Sequence, residues 1–488
     1  MSAYDDLMNY TRTTSALGQV AGRLGWDQET MMARGSAAQR SEEMGAMTTI
    51  LHARRSAPEV GDWLAAAQPA TEVETAQLAH IQRSYDRATK VPADLAAEIS
   101  TVTSTAQGTW AEARASEDVA AFLPVLSQVV ALKREEGSAL AEDGAVYDAM
   151  IQDYEPGISE AEITQLFDRM RPRLVSLVDR IKGADQLAGI TGTFDEAGQI
   201  EISNRLAAAF GYDFNRGRID KAVHPFSSGS GNDVRITTRT SETDPFNCFY
   251  STVHEVGHAC YEQNIDQTYG LTPLGSGVSM GVHESQSRIY ENQLGRSAAF
   301  CGWLHGQMTE VFGDFGVNRD AFYGAVNQVK SGFIRTESDE VQYNLHVMLR
   351  YDLERDLMNG TLDVADLEEA WNTRFEADFG FAVDRPSNGC LQDVHWSVGL
   401  FGYFPTYSLG NVYAGNLYQA LTRDVPDLAG SLGRGDPSPA TDWLRENLQQ
   451  HGGLRAPTQT IETACGFAPT EAPLLDYLDE KFSALYRL

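Results

Sequence analysis

His254-Glu255-Val256-Gly257-His258 sets two imidazoles four residues apart, with a carboxylate beside the first. On an α-helix, residues i and i+4 lie one above the other on the same face. Two imidazoles so placed can bind one Zn²⁺ from one side. Glu255 is rotated by about 100° from that face. It is poorly placed as a ligand but can reach a water activated by the ion, which is the position of a general base. The plain alternative is a helix carrying two solvated histidines and a surface glutamate. Its flanks argue otherwise: Phe246, Phe249, Tyr250 and Val253 precede the motif, and Cys260 and Tyr261 follow it. They mark a buried helix, and buried imidazoles need partners.

A catalytic zinc takes three protein ligands and keeps one position open. A third histidine six residues past His258 is excluded, because position 264 is Asn and position 261 is Tyr. The other common choice is a glutamate on a following helix. Val282-His283-Glu284-Ser285-Gln286 supplies Glu284, after a glycine-rich stretch from Gly270 to Gly281 long enough to reverse the chain. His283 is the weaker candidate, since a third imidazole would leave Glu284 without a role. One ion per chain is expected: Zn²⁺, with Co²⁺ or Mn²⁺ as alternatives.

The elements that position these residues are mostly helices. Ile163, Leu166, Phe167, Met170 and Leu174 repeat at three and four residues, behind the capping-box pair Ser159 and Glu162. Similar segments fill residues 1 to about 185. At the centre, residues 227–232 read as a flexible polar loop. Asp233–Thr240 alternates apolar and polar with β-branched residues and predicts a short strand, whose edge could receive an extended peptide. Helix resumes near Phe246. No linker cuts the chain, so we expect a single domain over 1–488. Its helical N-terminal half runs to about 185 and its metal-bearing half from about 186.

Composition narrows the function classes. The 488 residues carry 38 basic and 68 acidic side chains, a formal charge of −30. That excess disfavours nucleic acid and anionic membrane as partners, since both need clustered Lys and Arg. The polar, acidic N-terminus does not read as a secretory signal. The apolar run Val119–Leu132 is too short to span a bilayer. Five widely spaced cysteines without a CxxC pair imply neither a disulfide framework nor a Cys-type zinc site, which suits a cytoplasmic protein.

The chain resembles the carboxypeptidase Taq (thermostable carboxypeptidase) family of HEXXH metallocarboxypeptidases. The likeness rests on an ordered set: Trp26-Asp27-Gln28-Glu29-Thr30, Asp153-Tyr154-Glu155-Pro156-Gly157, His224-Pro225-Phe226, Asp233-Val234-Arg235-Ile236-Thr237, the HEVGH helix, His283-Glu284-Ser285-Gln286, Ile334-Arg335-Thr336-Glu337-Ser338-Asp339, Gly389-Cys390-Leu391-Gln392-Asp393-Val394-His395-Trp396, and Phe401-Gly402-Tyr403-Phe404-Pro405-Thr406-Tyr407. It runs from about residue 20 to the C-terminus. Ser338 replaces the family's Ala, and Ala33 its Pro; neither touches chemistry.

The resemblance implies a mainly α, gluzincin-type metallopeptidase, with a small β-sheet beside a deep active-site cleft, that assembles as a homodimer. It implies removal of C-terminal residues from peptides with a free C-terminus. An oligopeptidase or dipeptidyl carboxypeptidase on the same catalytic parts is the alternative within enzymes; a helical scaffold with a structural metal would have no use for Glu255. The family's carboxylate anchor falls on Arg335, whose planar fork suits two oxygens. Arg350 is a rival, and an ion pair with Glu337 or Asp339 is the plain alternative for Arg335. A His and a Tyr from the 395–407 region are expected to face the scissile carbonyl: His395 and Tyr407, with Tyr403 close behind. His224 and Arg235 are candidate substrate-binding residues. A histidine before proline is otherwise often structural, and Arg235 could simply pair with Asp233.

Overall fold

The structure, a computed structural model, describes residues 2–141 and 144–488. Helices dominate, and the described residues hold one three-stranded sheet. This is the mainly α architecture that the periodicity predicts. No described helix is long and apolar enough to cross a membrane. The chain divides into two compact units, each built from three segments.

The first unit comprises Met1–Thr89, Ala188–Asn327 and Tyr413–Pro469. Its sheet has the order β1 (Ile219–Lys221), β3 (Asp233–Thr238), β2 (Ser227–Ser230). β1 runs parallel to β3 with Ile219 opposite Ile236; β2 runs antiparallel with Ser227 opposite Ile236. Two expectations are corrected here. The strand at 233 ends at Thr238 and is central, so its hydrogen-bonding edges are both taken. The polar run expected to be a loop is β2 plus the hairpin turn Gly231-Asn232, with Ser230 paired to Asp233. Gly229 sits at φ +96°, and a Cβ there would come 2.0 Å from the Asp233 carbonyl oxygen. Glycine thus permits a pairing that no apolar alternation announces.

The helix Pro245–Asn264 packs on this sheet. Pro245 opens it, where the missing N–H costs nothing. Cys248, Phe249, Val253, Val256, Ala259 and Tyr261 are buried along it. Thr252 Oγ1 donates to the Cys248 carbonyl at 2.8 Å and lies in hydrogen-bonding contact with Thr238 Oγ1 at 3.0 Å, tying helix to strand.

The second unit comprises Lys90–Leu187, Gln328–Val412 and Thr470–Leu488. The helix Glu160–Lys182 begins at the expected capping box and buries Ile163, Phe167, Met170 and Leu174. The helix Gln342–Asn359 is buried nearly all round, which is the environment of a core helix rather than a surface one. It carries His346, Arg350 and Glu354.

Candidate metal centre and guanidinium cluster

His254 and His258 stand one turn apart on the helix Pro245–Asn264, and Glu284 comes from the helix Met280–Arg288. One ligand atom from each lies within 4.8 Å of the others. His258 Nε2 is 3.4 Å and His254 Nε2 is 3.7 Å from Glu284 Oε2. Ligands about 2.0–2.2 Å from a tetrahedral ion are spaced by roughly 3.3–3.6 Å. Two imidazole nitrogens and a carboxylate at this spacing fit a divalent cation. The close approach of the two helices depends on Gly257 of the motif: a Cβ there would fall 2.5 Å from the Gln286 carbonyl oxygen and 2.7 Å from Ser287 Cα.

Carboxylates and guanidiniums surround the three donors. Glu291, in the π-helical stretch Ile289–Gly295, accepts from His254 Nδ1 at 3.0 Å and pairs with Arg288 and Arg296. Arg288 Nε also donates to Glu284 Oε1 at 2.6 Å. Burial works against the charge on Glu284, but Arg288 and His254 hold its pKa well below the usual carboxylate range. Glu291 is likewise brought down to about 2, with burial opposed by His254 and Arg288. His258 is pushed down to about 4, first by burial, so it presents a neutral imidazole. Burial lowers His254 too, yet Glu284 and Glu291 outweigh it and its pKa rises. Glu255 is buried and, among the described residues, makes no side-chain pair with an arginine; burial pushes it up to about 7. A carboxylate poised there can both take and return a proton near neutrality. His283 has both ring nitrogens engaged, Nδ1 on His258 Nδ1 at 2.7 Å and Nε2 on Glu262 Oε1 at 3.0 Å.

The second unit gathers the other candidates. Arg335 is buried and bonds Asp393 Oδ1 through Nε at 3.3 Å and Nη2 at 3.0 Å, and the Tyr343 hydroxyl through Nη1 at 3.2 Å. Arg350, also buried, holds the other oxygen, Oδ2, through Nε at 2.6 Å. The partner of Arg335 is thus Asp393, not Glu337 or Asp339; Asp339 instead accepts the backbone N–H groups of Val341 and Gln342. Burial disfavours the Asp393 carboxylate, but Arg350 and Arg335 keep its pKa far below the usual range. Arg335 also lies 4.7 Å over the Tyr407 ring. His395, Tyr403 and Tyr407 form one aromatic cluster, with His395 Nε2 3.4 Å from the Tyr407 hydroxyl. Burial brings the His395 pKa down to about 4, leaving a neutral ring.

Glu354 pins the segment that presents this cluster. Its Oε1 accepts from the Tyr147 hydroxyl at 2.6 Å and from the Gly402 N–H at 3.1 Å; its Oε2 accepts from Trp396 Nε1 at 3.1 Å. The two anchored residues directly follow His395 and directly precede Tyr403.

Arg235 and His224 lie elsewhere in the first unit. Arg235 grips Asp233 through Nε at 2.7 Å and Nη2 at 3.1 Å, and stacks 4.4 Å over Trp26. Arg23 shares Asp233 at 2.7 Å. These residues line a cavity of about 480 Å³, together with Ser228, Ser230 and Glu262. The pairing of Arg235 with Asp233 is therefore present, with Trp26 stacked under the guanidinium. His224 is exposed, in the connection between β1 and β2.

The family model for carboxypeptidase Taq (M32) metallopeptidases matches residues 6–482. The chain belongs to that family. Curated relatives include Thermostable carboxypeptidase 1 of Thermus thermophilus, 38% identical with 99% of each chain covered, and Carboxypeptidase 1 of Bacillus subtilis, 32% identical over 99% of this chain and 98% of the relative. Among solved structures, the M32 carboxypeptidase from Deinococcus radiodurans R1 superposes with a TM-score of 0.97 at 36% identity, covering 100% of both chains. Trypanosoma cruzi metallocarboxypeptidase 1 gives 0.96 at 30% identity, over 98% of this chain and 99% of that one. As an M32 member the protein is a metallocarboxypeptidase, a peptide hydrolase that uses a divalent metal.

Several residues of the two clusters were not legible as such. Glu291 and Arg288 surround the ligands, but the π-helical turn that aims Glu291 shifts the register from simple helical spacing. Asp393 was visible within a motif, yet its bond to two arginines, 58 and 43 residues away, is a tertiary fact. Glu354 carried no sequence signal beyond a carboxylate on an apolar helix.

Proposed function

We propose that this M32 enzyme removes the last residue from peptides with a free C-terminal carboxylate, with His254, His258 and Glu284 holding one Zn²⁺ per chain. The donor set favours Zn²⁺, and Co²⁺ or Mn²⁺ suit it as well. When bound, the ion supplies Lewis acidity at the scissile carbonyl and makes water a stronger acid. Glu255 takes the proton from the attacking water and passes it to the leaving amine, a task suited to a carboxyl pushed up to about 7. His395, kept neutral, and Tyr407 offer an N–H and an O–H to the carbonyl oxygen as negative charge grows on it. Tyr403, packed edge-on against Tyr407, is the second choice for that role.

The observation that carries the reading is the charge balance around Arg335. Two buried guanidiniums share one carboxylate, Asp393, which leaves one positive charge without a formal partner in their immediate cluster. A peptide's terminal carboxylate would complete it. Arg335 is the anchor in this reading. Arg350 lies deeper, fully enclosed, and works through Asp393. Upstream residues of the peptide have a place along the free edge of β2, whose Ser228, Gly229 and Ser230 line the cavity beside Trp26 and Arg235. Arg235, in the cavity lining, and His224, exposed ahead of β2, are the substrate-side candidates of the first unit.

A homodimer follows from the family resemblance, and sedimentation velocity tests it. The five free, buried cysteines suit a reducing cytoplasm. The direct test of the activity is digestion of one peptide in free-acid and C-terminally amidated forms, read by mass spectrometry. Stepwise single-residue shortening of the free acid alone is expected. Equal cleavage of both forms would replace this reading with the oligopeptidase alternative.

A further inference from the structure

The motif His283-Glu284-Ser285-Gln286 contains a histidine that the metal reading leaves without a task. His258 Nε2 faces Glu284, so Nε2 is the nitrogen available to an ion and Nδ1 carries the proton. That Nδ1–H lies 2.7 Å from His283 Nδ1, which must therefore accept. The proton of His283 is then on Nε2, where it donates to Glu262 Oε1 at 3.0 Å. Each tautomer is fixed by the next group along.

The far end of this chain of bonds is built with equal care. The Gly277 N–H donates to the same Glu262 oxygen at 2.8 Å. A Cβ on Gly277 would lie 2.6 Å from His283 Cδ2 and 2.8 Å from Tyr261 Cε1, so only glycine lets the loop close over the imidazole. Tyr261 flanks the ring on another side, with centroids 5.1 Å apart. Glu262 itself is buried. The other ligand, His254, is served differently: its Nδ1 meets the Glu291 carboxylate directly at 3.0 Å.

We propose that His283 and Glu262 form a positioning relay that sets the tautomer and orientation of His258, and that Gly277 holds the relay closed. The proposal rests on the metal-binding reading above. Neither relay residue touches the ion. Their contribution is to hold His258 ready, so that little imidazole rotation is lost when a cation binds. The glycine-rich loop between the two ligand helices thereby acquires a function, since its Gly277 reaches the candidate ligand His258 through three hydrogen bonds.

The test is Zn²⁺ affinity, measured by competition with a chromogenic chelator and read beside the unfolding midpoint of each metal-free protein. Removing such an outer partner typically weakens metal binding about 10- to 100-fold. That loss is expected for His283→Ala, with the metal-free midpoint little changed. His283→Asn places an amide oxygen where Nδ1 was and should recover much of the affinity. Gly277→Ala touches no ligand, yet should weaken binding in the same direction by a smaller factor. Wild-type affinity in His283→Ala overturns the relay, and so does an equal loss in the Ala and Asn variants with both folded. If His283→Ala does not fold, Gly277→Ala decides, and unchanged affinity there overturns the proposal. A wild-type protein that takes up no Zn²⁺ overturns the metal reading itself, a result distinct from all of these.

Discussion

Around His254 and His258, four carboxylates (Glu255, Glu262, Glu284 and Glu291) stand against two guanidiniums, Arg288 and Arg296. Around His395 the proportion reverses, with Arg335 and Arg350 against Asp393. Both clusters are buried, and both keep a histidine neutral, His258 and His395, each with its pKa brought down to about 4 by burial. What differs is the sign of the charge each lacks. With Glu255 ionised and His254 neutral, as a metal ligand must be, the first is two negative charges in excess, which matches a divalent cation. The second is one positive charge in excess, which matches a single carboxylate. Burying an uncompensated charge is costly, so such an imbalance in a folded protein marks a place that receives a ligand. In the proposed function the imbalance of the metal cluster serves catalysis and that of the guanidinium cluster serves recognition.

Separating these roles predicts unequal mutants. Glu255→Gln keeps the shape of the side chain but removes the proton acceptor. It should retain bound metal by elemental analysis and lose about 10²- to 10⁴-fold in kcat. Near-normal turnover would remove Glu255 from the chemistry and leave the metal cluster without its base.

Asp393→Asn attacks the other cluster. It leaves two buried guanidiniums with no counter-charge, and breaking a buried pair in this way costs about 3–5 kcal/mol. The unfolding free energy from urea titration should fall by that amount, while Zn²⁺ affinity stays as in wild type. A fall in metal affinity instead would show that the two clusters are not separable.

Much of the metal cluster was legible because it is local. The four-residue spacing of His254 and His258, and Glu284 on the next helix, follow from helical geometry and a loop of sufficient length. β2 was not legible: Ser227–Ser230 has no apolar alternation, and its pairing depends on glycine conformations that composition reads as a loop. Nor was the centrality of β3, because strand order is decided by what pairs on each side. In the guanidinium cluster the motifs flag Arg335 and His395, but the carboxylates nearest in sequence, Glu337 and Asp339, are not the counter-ion. The structure found it at Asp393, on a segment that a fold, not a spacing, brings into reach.

A smaller effect concerns pH. In the unfolded chain the His395 imidazole titrates near 6.5; in the fold it stays neutral down to about 4. Below the unfolded value, the unfolded chain takes up a proton that the folded one refuses. This residue therefore removes about 3 kcal/mol of stability as pH falls from about 6.5 to about 4. His395→Gln should flatten that part of the stability profile in urea titrations at stepped pH. An unchanged slope would mean that the ring is not held neutral by burial.

If the positive excess at Arg335 reads a peptide's terminal carboxylate, the ratio of kcat/KM on free-acid and amidated forms of one peptide, in wild type and Arg335→Ala, reports it. Losing one partner of such a buried pair costs about 2–5 kcal/mol. At about 1.36 kcal/mol per tenfold, the free-acid rate should fall by roughly 30-fold or more, while the amidated peptide, already poor, should change little and the ratio should collapse toward unity. Equal losses on both peptides, or wild-type cleavage that ignores amidation, would contradict the claim.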